Sequence, residues 1–227
     1  MLPPNSAVVA ALLAATTQVQ SLQWLPGFHA PGMDAPVSVL AAFPGRSGPE
    51  LVAGGQFSRA GAESALGIAR WNGSSWSTLG RGVTGSVTSL AVFDAGQGPV
   101  LYVHGPFDHA GLWNAPGFAR WDGTQWSLVP GASLALSNAL AGFATFDLGT
   151  GQALYAWGEF PPVAGLSGAK VARFDGTSRQ GLGQGPIGTP TCAVVHDDGS
   201  GSALVVATRP TTGTIGDLVV QRWNGTS

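Results

Sequence analysis

The sequence predicts an all-β protein, and three observations carry that prediction. Of its 227 residues 35 are glycine, 44% are hydrophobic and only 10% are charged, against roughly a quarter charged in an ordinary soluble domain. That composition suits many short strands joined by tight turns and is far from the charge-rich, apolar-poor make-up of a disordered chain. The chain also matches itself at successive offsets of about 50, 53 and 50 residues, a spacing typical of repeat architectures. Finally, Asn-Gly or Asp-Gly recurs once per copy, at Asn72-Gly73, Asp122-Gly123, Asp175-Gly176 and Asn224-Gly225. These pairs tolerate the positive φ of a two-residue type I′ hairpin turn.

Residues 1–21 come first and read as a secretory signal. The apolar run "AVVAALLAA" (7–15) is too short for a bilayer, which needs about twenty residues. Val19 and Ser21 are placed for cleavage after Ser21, although no Lys or Arg precedes the run. A secreted or cell-surface location is therefore expected. The mature part, 22–227, begins with an isolated strand-like segment (22–27, within "SLQWLPG") and continues as four repeats over 37–80, 87–131, 140–183 and 190–227.

Each repeat divides into four strand-sized pieces. The first is "VSVLAAF" (37–43), "VTSLAVF" (87–93), "LAGFATF" (140–146) or "TCAVVHD" (191–197), and the second is "LVAGGQF" (51–57), "LYVHGPF" (101–107), "LYAWGEF" (154–160) or "LVVATRP" (204–210). A glycine turn such as "DAGQG" or "DLGTG" joins them. After a longer loop come a third strand ("GFARW" in the second repeat), the Asn-Gly or Asp-Gly turn, and a fourth strand ("TQWSLV"). Four antiparallel strands per unit of about 50 residues is the pattern of a β-propeller blade, which must stack on its neighbours to bury its faces. The fourth repeat stops where its last strand should begin. The isolated segment containing Trp24 is expected to supply that strand, with Trp24 near Trp223, and so to close a ring of about four blades. The alternative is an open arc with exposed edges, belonging to a longer or larger propeller.

The residues that recur resemble the kelch repeat. Gly54-Gly55 closes the second strand of the first repeat, the third strand carries an aromatic (Trp71, Trp121, Phe174, Trp223), and the fourth carries a tryptophan (Trp76, Trp126). The aromatic-to-tryptophan gap is shorter than in kelch repeats. The kelch resemblance covers about 200 residues, the length of four such repeats, and the pattern "GGxFxxAG…IARWDGxxWxxLG" of secreted bacterial repeat proteins is similar as well. The resemblance implies a fold rather than an activity.

Repetition separates scaffold from candidate site. Arg70, Arg120, Arg173 and Arg222 stand before the third-strand aromatic in every repeat. They read as guanidinium forks bonded to backbone carbonyls or turn acids, in preference to a repeated anion contact. The recurring tryptophans read as packing. Asp94, Asp147, Asp197 and Asp198 read as turn residues rather than calcium ligands, since none lies in a D-x-D-x-D-G loop. Residues unique to one repeat form the candidate ligand surface: His104, Asp108, His109 and Trp113 in "HGPFDHAGLW", with Trp157 aligned to His104, and Arg59 from the first repeat.

Other classes find little support. The net charge is −2 and Lys170 is the only lysine, so neither a phosphate-binding stripe nor a polybasic membrane patch is present. The sole cysteine, Cys192, permits no internal disulfide and reads as a buried small hydrophobe. No catalytic triad, close carboxylate pair or cofactor motif stands out, and His104, Asp108 and His109 fall short of a three-ligand metal set. The expectation is a non-catalytic module with a binding or structural role, no cofactor, no metal and no membrane span, any partner being protein or carbohydrate; one alternative is the N-terminal fragment of a longer surface protein. The rival is an oxidase of the kelch type, whose chemistry needs His and Tyr ligands and a cysteine-modified tyrosine. Tyr102 and Tyr155 instead occupy equivalent strand positions.

Overall fold

A computed structural model describes residues 32–45, 48–130, 140–149, 151–160, 166, 169–176, 178–183, 185–210 and 219–223. The segment with the expected signal and Trp24, and the Asn224-Gly225 turn, lie outside the described residues. The fold is all-β, with no helix among the described residues.

Four antiparallel sheets follow one another along the chain. Sheet one runs in the order β1 (Val37–Gly45), β2 (Gly48–Gly55), β5 (Ile68–Trp71), β6 (Trp76–Thr78). Sheet two repeats it with β8 (Ser89–Asp94), β9 (Pro99–His104), β12 (Phe118–Trp121) and β13 (Trp126–Leu128). Sheet three has β14 (Leu140–Asp147), β15 (Gln152–Gly158), β16 (Val171–Phe174) and β17 (Arg179–Gly181). Sheet four shows three strands among the described residues: β18 (Thr189–Asp197), β19 (Ser202–Arg209) and β20 (Val219–Trp223).

The turns and the fourth repeat depart from the sequence reading. The Asn72-Gly73, Asp122-Gly123 and Asp175-Gly176 hairpins are not two-residue type I′ turns, because among the described residues none other than glycine has positive φ. Trp71 pairs with Trp76, and Trp121 with Trp126, across four-residue loops. The Asn or Asp side chain closes each loop: Asn72 Oδ1 accepts from Ser74 N and Ser75 N, both at 2.9 Å, and Asp122 Oδ1 from Thr124 N at 2.8 Å and Gln125 N at 2.9 Å. Such side-chain bonds to backbone two and three residues on are why Asn and Asp favour turns. The fourth repeat is also displaced by one residue. Asp197 pairs with Ser202 as Asp94 does with Pro99 and Asp147 with Gln152. Residues 190–196, rather than 191–197, are thus the equivalent of 87–93.

The long loop after the second strand carries structure that the sequence reading left as loop. In the first repeat it folds into the hairpin β3 (Arg59–Ala60) and β4 (Glu63–Ser64). In the second, β10 (Phe107–Ala110) pairs with both β11 (Trp113–Asn114) and β7 (Val83–Gly85), the latter lying in the link from sheet one.

The first strands of successive sheets pack side by side, β1 on β8, β8 on β14 and β14 on β18. Thr145 Oγ1 donates to Val92 O at 2.7 Å and Ser89 Oγ to Phe143 O at 3.3 Å, tying sheet two to sheet three. The largest core lies between sheets one and two and includes Phe43, Val52, Ile68, Leu79, Leu101, Val103, Trp121 and Trp126. Trp126 is its wedge. The ring packs against the backbones of Gly80 and Gly111, and Nε1–H donates to Leu79 O at 2.7 Å. A buried indole needs such a partner for its N–H.

Candidate functional site

The recurrent polar residues are engaged within their own sheets. Arg70 Nε donates to Ser77 Oγ at 3.2 Å, and its Nη1 approaches Glu50 at 3.4 Å; Arg120 Nε donates to Ser127 Oγ at 2.9 Å. Arg173 reaches Asp175 at 3.2 Å, while Arg222 donates to Ser200 Oγ at 2.7 Å and Gly201 O at 3.2 Å. Arg120 and Arg173 lie opposite Tyr102 and Tyr155 in the ladders. Burial pushes both phenols above their ordinary range, and the neighbouring guanidiniums draw them partly back.

The turn acids behave alike. Asp94, Asp147 and Asp197 each use Oδ1 to accept two glycine amides, at 2.7 and 3.0 Å, 2.8 and 3.1 Å, and 2.8 and 3.2 Å respectively. Asp198 is pulled below the usual carboxylate range by the Ser200 hydroxyl and amide and by Arg222. Among the described residues no three His, Cys, Asp or Glu side chains converge as a metal site.

The six candidate ligand residues divide into two groups. His104 and Trp157 do occupy equivalent ladder positions, opposite Phe118 and Val171. Both are buried, at 7% exposure. The His104 ring lies edge-on to Phe118 and Phe143, with centroids 6.5 and 6.2 Å away. Trp157 covers Gly142, where a Cβ would come within 2.8 Å of the ring, and donates to Thr191 O at 3.4 Å.

The others stand on the small hairpins. Asp108, His109 and Trp113 are exposed on β10 and β11, and Leu112 at the tip between them is 79% exposed beside Trp113 at 49%. The hairpin is anchored from below: His109 N donates to Thr84 Oγ1 at 3.0 Å, Gly111 N to Gly82 O at 2.9 Å and Ala115 N to Asp108 O at 2.9 Å. Arg59 belongs to the matching hairpin of the first repeat and donates to Ala62 O at 3.1 Å, across its own turn. Asp34 fixes that hairpin by accepting from Ser58 Oγ at 2.7 Å and from the amides of Ser58 and Arg59. These bonds hold the Asp34 carboxyl below its usual range. Leu112 is the residue that sequence reasoning missed; its signal was an apolar side chain at a turn where the first repeat has Ala62.

Cys192 is exposed, not buried. It lies on β18 beside a register shift, on a strand whose residues are mostly exposed or half-buried. Among the described residues no helix is long and apolar enough to cross a membrane. Compared with known proteins, the chain matches no family model, no curated protein and no solved structure.

Proposed function

We propose that this chain is a secreted or surface-exposed, non-catalytic module of β-propeller type, kelch-like in its repeat, that binds a protein or carbohydrate through the β10–β11 hairpin of its second repeat. The observation that carries this reading is the exposed Leu112–Trp113 pair on a hairpin whose backbone is pinned by Thr84 and Gly82. An exposed Trp beside an apolar side chain is the chemistry of a binding hot spot, and a rigid anchor loses little conformational entropy on binding. Asp108 and His109 flank the pair and add polar groups that could orient a ligand. The repeated arginines and turn aspartates contribute little to such a site, because their polar atoms already hold the sheets and turns. The succession of four-stranded sheets packed by their first strands supports the propeller reading, and the apolar run at 7–15 supports export.

A glycan array and a peptide-display screen with purified protein test the proposal. Specific binding to one class, lost in Trp113→Ala and Leu112→Ser with the melting temperature unchanged, is expected. Binding that survives both substitutions, or stoichiometric copper or zinc with turnover of a substrate, would overturn it.

A further inference from the structure

The turn between β5 and β6 holds a chemically reactive pair. Asn72 and Gly73 stand exposed in the four-residue loop that joins Trp71 to Trp76. In an Asn-Gly pair the glycine backbone nitrogen can attack the side-chain amide carbon, because no Cβ on the following residue hinders the approach. The described residues include two asparagines, Asn72 and Asn114, and only the first is followed by glycine. Beyond Asn114 the nitrogen is already engaged, since Ala115 N donates to Asp108 O at 2.9 Å. Gly73 N donates to no acceptor among the described residues.

The loop is shaped for that attack. The Asn72 side chain curls back over the peptide that follows it, as in an Asx turn. Its Oδ1 accepts from Ser74 N, Ser74 Oγ and Ser75 N, each at 2.9 Å. Attack on Cγ places negative charge on this same oxygen, and preorganised donors aimed at developing charge stabilise a transition state. The leaving nitrogen, Nδ2, is held by no hydrogen bond among the described residues. The loop also requires its glycine: Gly73 has a φ of 99°, which side chains with a Cβ rarely adopt.

The product of the reaction fits the same place. In the second repeat Asp122 Oδ1 accepts from Thr124 N, Thr124 Oγ1 and Gln125 N at 2.8, 2.7 and 2.9 Å, the three donors that Asn72 meets, in the same order. In the third, Asp175 accepts from Ser178 N and Ser178 Oγ, both at 2.9 Å. An aspartate at position 72 therefore keeps the loop and exchanges neutral hydrogen bonds for stronger charge-assisted ones. An isoaspartate lengthens the main chain by one carbon and carries its carboxylate away from these donors.

From this geometry we infer that Asn72 is a self-modifying residue, which the folded loop converts to aspartate or isoaspartate. Gly73 N gives up its proton and bonds to Asn72 Cγ; the Cγ–Nδ2 bond breaks, and Nδ2 leaves as ammonia with that proton. Water then opens the resulting succinimide. Cleavage between Cγ and the nitrogen gives aspartate, and cleavage between the main-chain carbonyl carbon and the nitrogen gives isoaspartate. Each event adds a negative charge to the β5–β6 turn. The reaction consumes only water, so it goes beyond the binding role proposed above and does not rest on it.

The test incubates the full chain at mildly alkaline pH in heavy-oxygen water and reads its peptides by mass spectrometry. Residue 72 should lose its amide nitrogen and gain the heavy oxygen, while Asn114 keeps its amide. Ser74→Ala removes one of the three donors from an exposed side chain and leaves both backbone amides. It should slow conversion about three- to tenfold, the worth of one neutral hydrogen bond. Ser74→Thr restores the hydroxyl in the form that Thr124 has, and should convert at the wild-type rate. Asn72→Asp should melt no lower than wild type. An amide retained at Asn72, equal conversion of Asn114, a Ser74→Ala rate equal to wild type, or a destabilised Asn72→Asp would each overturn the inference. None of these outcomes bears on ligand binding by Trp113, which is measured separately.

Discussion

The boundary between sheets one and two and the boundary between sheets three and four are built on the same plan, yet one is closed and the other holds a cavity of about 430 Å³. Trp126 stands on the fourth strand of sheet two, whereas the residues that follow β20 in sheet four lie outside the described residues. Trp126 fills the first by packing on two glycines and bonding to Leu79 O; no counterpart stands in the second among the described residues. The middle boundary is intermediate, with Arg179 where Trp126 would be and a cavity of about 70 Å³ lined by Tyr102, Phe118, Val129, Pro130 and Phe174. The comparison teaches that in this fold an indole on the outermost strand, and not only the first strand, joins one sheet to the next.

The largest effect is therefore expected from Trp126→Ala, which should cost about 3–5 kcal/mol in a denaturant titration, as large-to-small changes in cores do. Trp126→Phe should cost less, losing mainly the N–H bond. Trp121, 5.3 Å from Trp126 between ring centroids and 4% exposed, should behave like Trp126 when changed to Ala. If Trp126→Ala cost no more than a surface substitution, about 0.5 kcal/mol, the indole would not be the wedge.

A smaller effect is expected at the turns, which repeat on both sides of the comparison. Asp94→Ala and Asp147→Ala each remove an oxygen that accepts two glycine amides, and should cost about 1 kcal/mol each by thermal unfolding. Equal costs would show that the turns are indifferent to the state of the adjoining boundary. Acid should act through related groups. At Asp122 burial raises the carboxyl, but the Thr124 hydroxyl and the Gln125 and Thr124 amides outweigh it and leave the group below its usual range. Asp34 and Asp198 are lowered as well. A depressed folded value means stability that is present above the unfolded value and lost as pH falls through the folded one. The melting temperature should hold from neutrality down to about pH 4 and drop below it. Asp34→Asn should flatten that drop, and a melting temperature that falls between pH 7 and 5 would contradict the assignment.

Much of the fold was legible because a repeat compares a sequence with itself. The shared Arg-aromatic pair and the Asp of the "DAGQG" turns gave strand order without any knowledge of contacts, and the ladders place Arg70, Arg120, Arg173 and Arg222 at equivalent positions. What escaped has a physical reason in each case. The strands β3, β4 and β11 are two residues long, too short to show a period of two. The Asn-Gly signal is shared by two-residue and four-residue loops, and only the side-chain bonds of Asn72 and Asp122 separate them. The fourth repeat slipped by one because Asp197 was matched with Phe93 rather than with Asp94. For the candidate site, uniqueness pointed equally to His104 and Trp157, which fill gaps in the packing, and to His109 and Trp113, which face solvent. Burial, which no single sequence displays, separates the two pairs.

The smallest expected effect probes the middle boundary. Arg179→Trp puts an indole where Trp126 has one, with the Val129 carbonyl in the place of Leu79 O. Yet Pro130 stands where Gly80 and Gly183 take a φ of 58°, a conformation that proline cannot adopt, and its ring lines the cavity. Arg179→Trp alone should therefore change stability little, because the new indole meets Pro130. Combined with Pro130→Gly it should stabilise by about 0.5 kcal/mol, the low end of cavity filling. The double-mutant cycle should give a favourable coupling of about 0.5–1 kcal/mol, as for residues in contact. Zero coupling would mean that the glycine matters only for its own loop. A favourable coupling would make glycine and indole a matched pair.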